Sequence, residues 1–387
     1  MPSLRRLAGR DRPATLSVEA PLALLDVLRD GPAPLSGQGP GRAQADRLRV
    51  AVVIPSFRRG SGGHATIANL VRGLEERGHR LALFLVDQQG RHAADDAGAL
   101  FASFFGPMAA PVLEGFTEWR GADVVLATGW QTVPDVLSLP GAGARAYLVQ
   151  DHEPEFYPTS AERLWAEWTY RQGLHCICAS PWLAEVVTDR YGASATAFDL
   201  GVDHAAYRPL PTHRREDLVL FYARAVTARR AVPLGALALA ELHRRRPAVE
   251  LAVFGESGTL GLPFPAHQLG VLEPEALAHA YASATVGLCL SLTNPSLIPT
   301  EMMACGLPVV DVVSDAMVAT FGPGGPVTLV EPDPLALCDA IEGLLDDLLV
   351  RATRSRDGAE LVAERTWPNA AEQVERGLRA ALSAAGD

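Results

Sequence analysis

Lysine is absent from this 387-residue chain, so all 34 of its basic residues are arginine. Any cationic clamp for a phosphate must therefore be built from guanidinium groups, whose planar fork suits bidentate contacts to phosphate oxygens. Positive charge is also the minority: 45 acidic residues leave a formal net charge of −11, which argues against a nucleic-acid partner. No run approaches the roughly 18 uncharged apolar residues of a membrane-spanning helix. The basic start, MPSLRRLAGRDRPATL, lacks the apolar stretch of a secretory signal. A cytoplasmic location is expected, with peripheral membrane association left open. Cysteine is sparse: Cys176, Cys178, Cys289, Cys305 and Cys338 show no metal-ligand spacing. No Asp-x-Asp follows an apolar strand to bring a divalent metal to a diphosphate. No Ser–His–Asp or paired-carboxylate arrangement stands out for hydrolysis.

What is present is ample apolar material, 48% of residues, in short runs separated by Gly and Pro. At about 150 residues per domain the length suits two to three domains. Residues 1–47 read as a leader, partly disordered, with one short helix around Val18 to Arg29. From Leu48 buried strands alternate with helical stretches: LRVAVVI, LALFLV, DVVLA, AYLVQ, HCICA and Thr196 to Leu200. Such alternation means an α/β fold with a mostly parallel sheet. The polar segment GVDHAAYRPLPTHRRED interrupts it, and the rhythm then restarts with strands at Leu218–Tyr222, Val249–Phe254, Gln268–Leu272, Thr285–Leu290, Pro308–Val313 and Val327–Val330. Helices are expected at Leu335–Leu349 and Pro368–Leu382. The domains are thus 48–205 and 206–366, two Rossmann-like units facing each other across a cleft, with 367–387 a closing helix.

The most informative stretch is SLTNPSLIPTEMMACGLPVVD, Ser291 to Asp311. It reads as strand, loop, short helix and strand, the helix starting at the carboxyl ends of the strands. Free N–H groups of Ser296, Leu297 and Ile298 and the positive helix end suit a phosphate there. Glu301, in the first turn, suits a sugar hydroxyl. This wording resembles the GT-B glycosyltransferases of the large retaining family 4, whose signature E-x-F-G-L-P-x-x-E precedes A-x-A-x-G-x-P-V-V. Thr293 stands where the family has its first glutamate, which contacts the transferred sugar; Glu301 matches the second, which contacts the nucleotide ribose. NPSLIPTEMMACGLPVV looks most like a subgroup that includes bacterial rhamnosyltransferases of surface-glycan assembly.

The resemblance implies further roles, position by position. Arg224, and Arg229 five residues on, match the family's cationic pair on the donor diphosphate, with Arg230 as a neighbour that could substitute. Gly255 and Glu256 match its strand-end turn, and His267 to Glu273 the segment near the base. Gly60-Ser61-Gly62-Gly63-His64 resembles its glycine-rich loop by the phosphates and acceptor. At the end of the fifth strand, where many members carry His-Asp, stand Gln150 and Asp151, followed by His152 and Glu153. Trp130 would either stack on an acceptor sugar or fill the domain edge. The implied activity is a metal-independent, retaining hexosyltransferase needing no cofactor. It would take a dTDP- or UDP-sugar donor and a glycan, lipid-linked or small-molecule acceptor. Arg224, Arg229 and Asp151 would carry catalysis. Three alternatives remain: an epimerase on this scaffold, a non-catalytic nucleotide-sugar binder, and a nicotinamide oxidoreductase. The last rests on Gly60, Gly62 and Ala65 as G-x-G-x-x-A with Asp87 ending the second strand, but Pro55 to Arg59 separate the strand from its first glycine.

Overall fold

The computed structural model describes residues 21–36, 42–87, 90–92 and 96–386. Strands rich in Val, Leu, Ile and Ala are buried on both faces, which is how parallel sheets clad in helices are made. One sheet holds β1 (Arg49–Pro55), β2 (Arg80–Val86), β3 (Val112–Glu114), β4 (Ala122–Ala127), β5 (Ala142–Val149), β6 (His175–Cys178) and β7 (Ala195–Ala197), in the order β3-β2-β1-β4-β5-β6-β7. The other holds β8 (Leu218–Tyr222), β9 (Glu250–Phe254), β10 (His267–Gln268), β11 (Val286–Leu288), β12 (Val309–Val312) and β13 (Thr328–Val330), in the order β10-β9-β8-β11-β12-β13. All named pairs are parallel; Val50 faces Leu81 on one side and Val124 on the other, and Leu220 faces Ala252 and Gly287.

Each sheet reverses its winding once, between β1 and β4 and between β8 and β11. Connections leaving such a point diverge and open a crevice beyond the carboxyl ends of the strands. The chain there runs through residues 56–61 and 128–132 in the first lobe, and 223–231 and 289–296 in the second. These are the segments that carry the arginines, the glycine-rich loop and the turn before Glu301.

Among the described residues the chain crosses between the lobes twice, and the two crossings lie side by side. Val202 bridges to Thr366 in parallel, its N–H bonding the Arg365 carbonyl at 2.8 Å. Gly201 is needed for this approach, since a Cβ there would sit 2.6 Å from Trp367 N. The helix Trp367–Ala384 then lies on the first lobe, burying Ala370, Ala371, Val374 and Leu378 in the core that holds Leu74 and Ile177. Glu375 pins it there, accepting from Arg77 and from Arg379 (2.8 Å), with His79 Nε2 3.3 Å away. Burial alone would raise its pKa, but those hydrogen bonds outweigh burial and hold the carboxyl at about 2. Its stabilisation is therefore complete above the unfolded value near 4.5 and is lost as pH falls toward 2. Glu375→Ala is expected to cost about 2 kcal/mol in urea unfolding at pH 7, short of a fully buried pair because the arginines keep some hydration. The gap from wild type should narrow as pH is lowered through 4.

Some elements differ from expectation for identifiable reasons. The leader helix is Ala23–Asp30, starting after Pro21 because proline is tolerated only at a helix start; the Val18–Ala20 part of the expected helix lies outside the described residues. Its buried Leu24 and Val27 and the 2.9 Å bond from Ala33 N to Leu137 O hold this part of the leader on the first lobe. The expected helix Leu335–Leu349 is two, Pro334–Asp346 and Leu348–Val362, because the Asp347 carboxylate accepts from Leu349 N and Val350 N and so caps a new start. The expected strand at 268–272 shortens to His267–Gln268, as the Gln268 side chain folds back onto both backbone groups of Leu260. The five cysteines are buried free thiols, Cys176 and Cys178 in one core cluster. Among the described residues no helix is long and apolar enough to cross a membrane.

Candidate functional site

Strand β8 delivers Arg224 to the crevice, where its guanidinium donates to the Gly60 carbonyl at 3.0 Å and so touches the opposite lobe. Beside it the Tyr222 ring packs against Gly255, where φ is +96° and a Cβ would lie 2.5 Å from the ring; neither the conformation nor the space admits another residue. Glu256 braces the following turn, its Oε2 accepting from Val226 N at 3.3 Å. The chain then tightens into the turn Ala228–Arg230 and leaves it through Ala231, which has φ +42°. Arg229 Nε lies 3.1 Å from Asp151 Oδ2, and its guanidinium stacks 4.0 Å from the Phe156 ring. Arg230, in contrast, points into the second lobe. It is 6% exposed and donates to Ser291 Oγ at 3.0 Å, so it is not free to replace Arg229 at the crevice.

The other half of the site is the helix Leu297–Ala304. Ser296 caps it, its Oγ accepting from Ile298 N at 3.4 Å, and Thr300 Oγ1 ties back to the Leu297 carbonyl at 2.7 Å. Ser296, Leu297 and Ile298 are half-buried at the crevice. One turn on, Glu301 accepts from the Tyr281 hydroxyl at 3.3 Å. Burial pushes its carboxyl up to about 7; the Tyr281 bond works against this and Asp203 adds to it. Tyr222 links the halves. Its phenol is raised by burial, eased by the positive fields of Arg230 and Arg224, and raised again by Cys289 and Glu301. Arg224 and Glu301 thus both act on the charge of one phenol, in opposite directions.

The first lobe supplies a wall. His64 opens the helix Gly62–Glu76 but is only 9% exposed, with Nε2 3.2 Å from the Pro55 carbonyl and Nδ1 2.8 Å from Ser61 Oγ. Burial lowers its imidazole to about 4. In the neutral ring Nε2 donates to the carbonyl and Nδ1 accepts the hydroxyl, so both nitrogens are used. Gly63 faces the Gln150 side chain, 3.6 Å from where its Cβ would lie. The Asp151 carboxylate accepts from Thr293 Oγ1 (2.9 Å), Asn294 N (3.0 Å) and His152 N (2.9 Å). Glu153 accepts from Trp130 N at 2.7 Å, and burial pushes it up to about 7.

Some expected site residues point elsewhere. The Trp130 ring is 1% exposed, with Nε1–H on Tyr157 Oη at 2.9 Å, so it fills the lobe and presents no face to a ligand. His152 is 2% exposed, its Nε2 2.7 Å from Tyr191 Oη and its Nδ1 3.0 Å from Glu155. Asp87, which the dinucleotide reading needs for a ribose, accepts instead from Ser56 Oγ (2.6 Å) and His92 N (2.7 Å). Residues missed in the sequence are Ser180, Asn294, Tyr222, Tyr281 and Phe156. Ser180 alone carried a signal, a serine before Pro181 at a helix start. Among the described residues one group, Cys338, Asp339 and Glu342, brings metal-ligand atoms together, and Arg245 already bonds Asp339 at 2.6 Å and Glu342 at 2.8 Å.

Two like-sized parallel lobes, wound this way around one crevice and tied by a closing helix, recur in solved structures. TarM of S. aureus, crystallised with Fondaparinux, alpha-GlcNAc-glycerol and UDP, superposes with a TM-score of 0.69 at 8% identity, over 86% of this chain and 99% of TarM. HepE of Anabaena, in complex with UDP-glucose, gives 0.64 at 14% identity over 87% and 100%. Sucrose-phosphate synthase of Thermosynechococcus elongatus gives 0.64 at 18% identity over 87% and 99%. The fold is GT-B. Within this GT-B chain, residues 217–340 match the family described as WsaF, C-terminal domain. Over 264 residues, 66% of the chain, it is 34% identical to the O-antigen biosynthesis protein RfbC of Myxococcus xanthus. That alignment covers 20% of RfbC, so the chain spans about a fifth of the relative's length.

Proposed function

We propose that this chain transfers a hexose or deoxyhexose from a nucleoside diphosphate sugar to a hydroxyl of a cell-surface glycan or its lipid-linked precursor. The carrying observation is that Arg229 meets Asp151, which also accepts from Thr293 and Asn294 just before the helix Leu297–Ala304, while Arg224 reaches the Gly60 carbonyl of the glycine-rich loop from the same lobe. Chemically, the bond from the anomeric carbon to the β-phosphate oxygen breaks and a bond to the acceptor oxygen forms on the same face. The acceptor proton goes to the departing phosphate, so no enzymic nucleophile is required. The guanidinium groups and the helix end offset charge that grows on the phosphate as the bond breaks, where such groups act most strongly. Glu301 receives the ribose hydroxyls. The RfbC match supports the glycan acceptor, and the HepE and TarM complexes support a nucleotide donor.

The sugar is read as a deoxy sugar such as rhamnose on the wording of the motif NPSLIPTEMMACGLPVV. The experiment is a thermal-shift panel of UDP, dTDP, GDP and NAD, followed by turnover of dTDP-rhamnose and UDP-glucose. A cognate nucleotide at 100 times its Kd should add about 2.7 kcal/mol of stability. Stabilisation by NAD alone would sink the reading. Turnover of UDP-glucose with none of dTDP-rhamnose would remove the deoxy-sugar part. Binding without turnover of any donor would favour a non-catalytic role.

A further inference from the structure

Asp151 belongs to the first lobe, yet most of what its carboxylate gathers comes from the second. Thr293 Oγ1 donates to Oδ2 at 2.9 Å, Asn294 N donates to Oδ1 at 3.0 Å, and Arg229 Nε lies 3.1 Å from Oδ2. Asp151 and Thr293 are 6% and 4% exposed, so water does not compete for these bonds. Next to them Asn294 Nδ2 reaches the Gln150 carbonyl (3.1 Å) and the Ala179 carbonyl (3.2 Å), and Ser180 Oγ donates back to Asn294 Oδ1 at 2.9 Å. The ring beneath the Arg229 guanidinium, Phe156, is also a first-lobe residue. Arg229 therefore rises from the second lobe but takes its orientation from groups of the first.

We infer that Asp151, held by Thr293, is the positioning residue that aims Arg229 at the donor's leaving phosphate, so that closing the lobes and arming the phosphate clamp are one event. This rests on the donor reading above. It also gives Thr293 a physical reason. A carboxylate at that position would face Asp151 at about 3 Å, and two carboxylates so close cannot both ionise. The crevice has one seat for a carboxylate beside Arg229, and here it is filled from the first lobe.

The test uses the full chain with Asp151→Asn, Thr293→Asp and the two combined. Turnover of the donor found in the panel and hydrogen exchange of the unliganded protein are both measured. Asp151→Asn keeps the shape and loses the charge. It is expected to lower kcat by about 10- to 100-fold with donor KM within a few-fold of wild type, the pattern of an interaction made in the transition state. Exchange should rise together in residues 150–156 and 291–296, one segment from each lobe. Thr293→Asp alone should lose at least as much activity. The double variant returns a single carboxylate to the same gap from the other side and should recover kcat to within about fivefold of wild type, a rescue that packing alone would not produce. Unchanged kcat and exchange in Asp151→Asn, or a double variant no better than the worse single, overturns the inference. If the wild type binds none of UDP, dTDP and GDP, the donor reading itself fails and takes this inference with it.

Discussion

Arg229→Ala is expected to lower turnover by about 100-fold or more, the usual cost of removing one fixed donor from a developing negative charge. The effect has two sources. The phosphate loses a cation that is already oriented, stacked on Phe156 and paired with Asp151. Asp151 in turn is left as a buried carboxylate with neutral donors only, which disfavours the closed lobes. Burial lowers the Arg229 pKa and Asp151 works against that, so losing Asp151 would weaken the charge on Arg229 further. Lysine should restore only part of the rate, because an ammonium neither stacks flat on the ring nor offers the fork that meets carboxylate and phosphate together. Initial rates at saturating donor, with thermal unfolding to confirm the fold, check this. A rate within threefold of wild type would remove Arg229 from the clamp. Arg224→Ala should cost similarly, and the double variant less than the product of the two, since both act on one group.

Glu301→Gln should separate stability from binding in opposite directions. In the folded protein the carboxyl titrates at about 7 against an ordinary 4.5, chiefly because it is buried. A raised folded value means its share of stability is complete below 4.5 and is lost as pH rises through 7. The glutamine variant carries no such loss. It should be more stable than wild type at pH 8 by up to about 3 kcal/mol, and the difference should fade by pH 5. Nucleotide binding should move the other way. The ionised carboxylate is the better acceptor for ribose hydroxyls, so wild-type affinity for UDP-glucose should strengthen as pH rises through 7. The variant should bind about 10- to 100-fold more weakly at pH 8, the range for a hydrogen bond to a charged group. Burial raises Tyr207, Tyr222 and Tyr281 above 10 and puts Cys289 and Cys305 at about 12, outside the profile, while Glu153 and Asp311, also pushed up to about 7, are present in both proteins and cancel in the comparison. Calorimetry and urea unfolding across pH 5–9 measure both trends. A less stable glutamine variant at pH 8 would contradict the buried-charge argument.

The strands were legible because parallel sheets need uninterrupted apolar runs, and LRVAVVI, LALFLV and LVLFY admit little else. Edge elements were not. β3 is three residues long and half-exposed, so it carries no such run. The break at Asp347 was hidden because the apolar pattern continues through it, while the cap that divides the two helices is a side-chain bond. At the site, the second-lobe residues could be read from a contiguous motif, in which loop, cap and helix follow one another. First-lobe residues could not, because what matters there is direction. Trp130, His152 and His64 have suitable chemistry at suitable strand ends, and each is turned into its own lobe by a partner far away or on the next turn: Tyr157, Tyr191, Pro55. Asn294 looked like a loop residue and is a bridge, since its partners at 150, 179 and 180 meet it only once both lobes exist.

The paired crossings at Val202 and Thr366 act on the lobes as two pins act on a door. A single tether would leave the halves free to swivel about its length. Two that run abreast and share a hydrogen bond suppress torsion and leave swinging as the easy motion. Arg224 should then meet Gly60 at the same place on every closure, an alignment set where the backbone changes lobe.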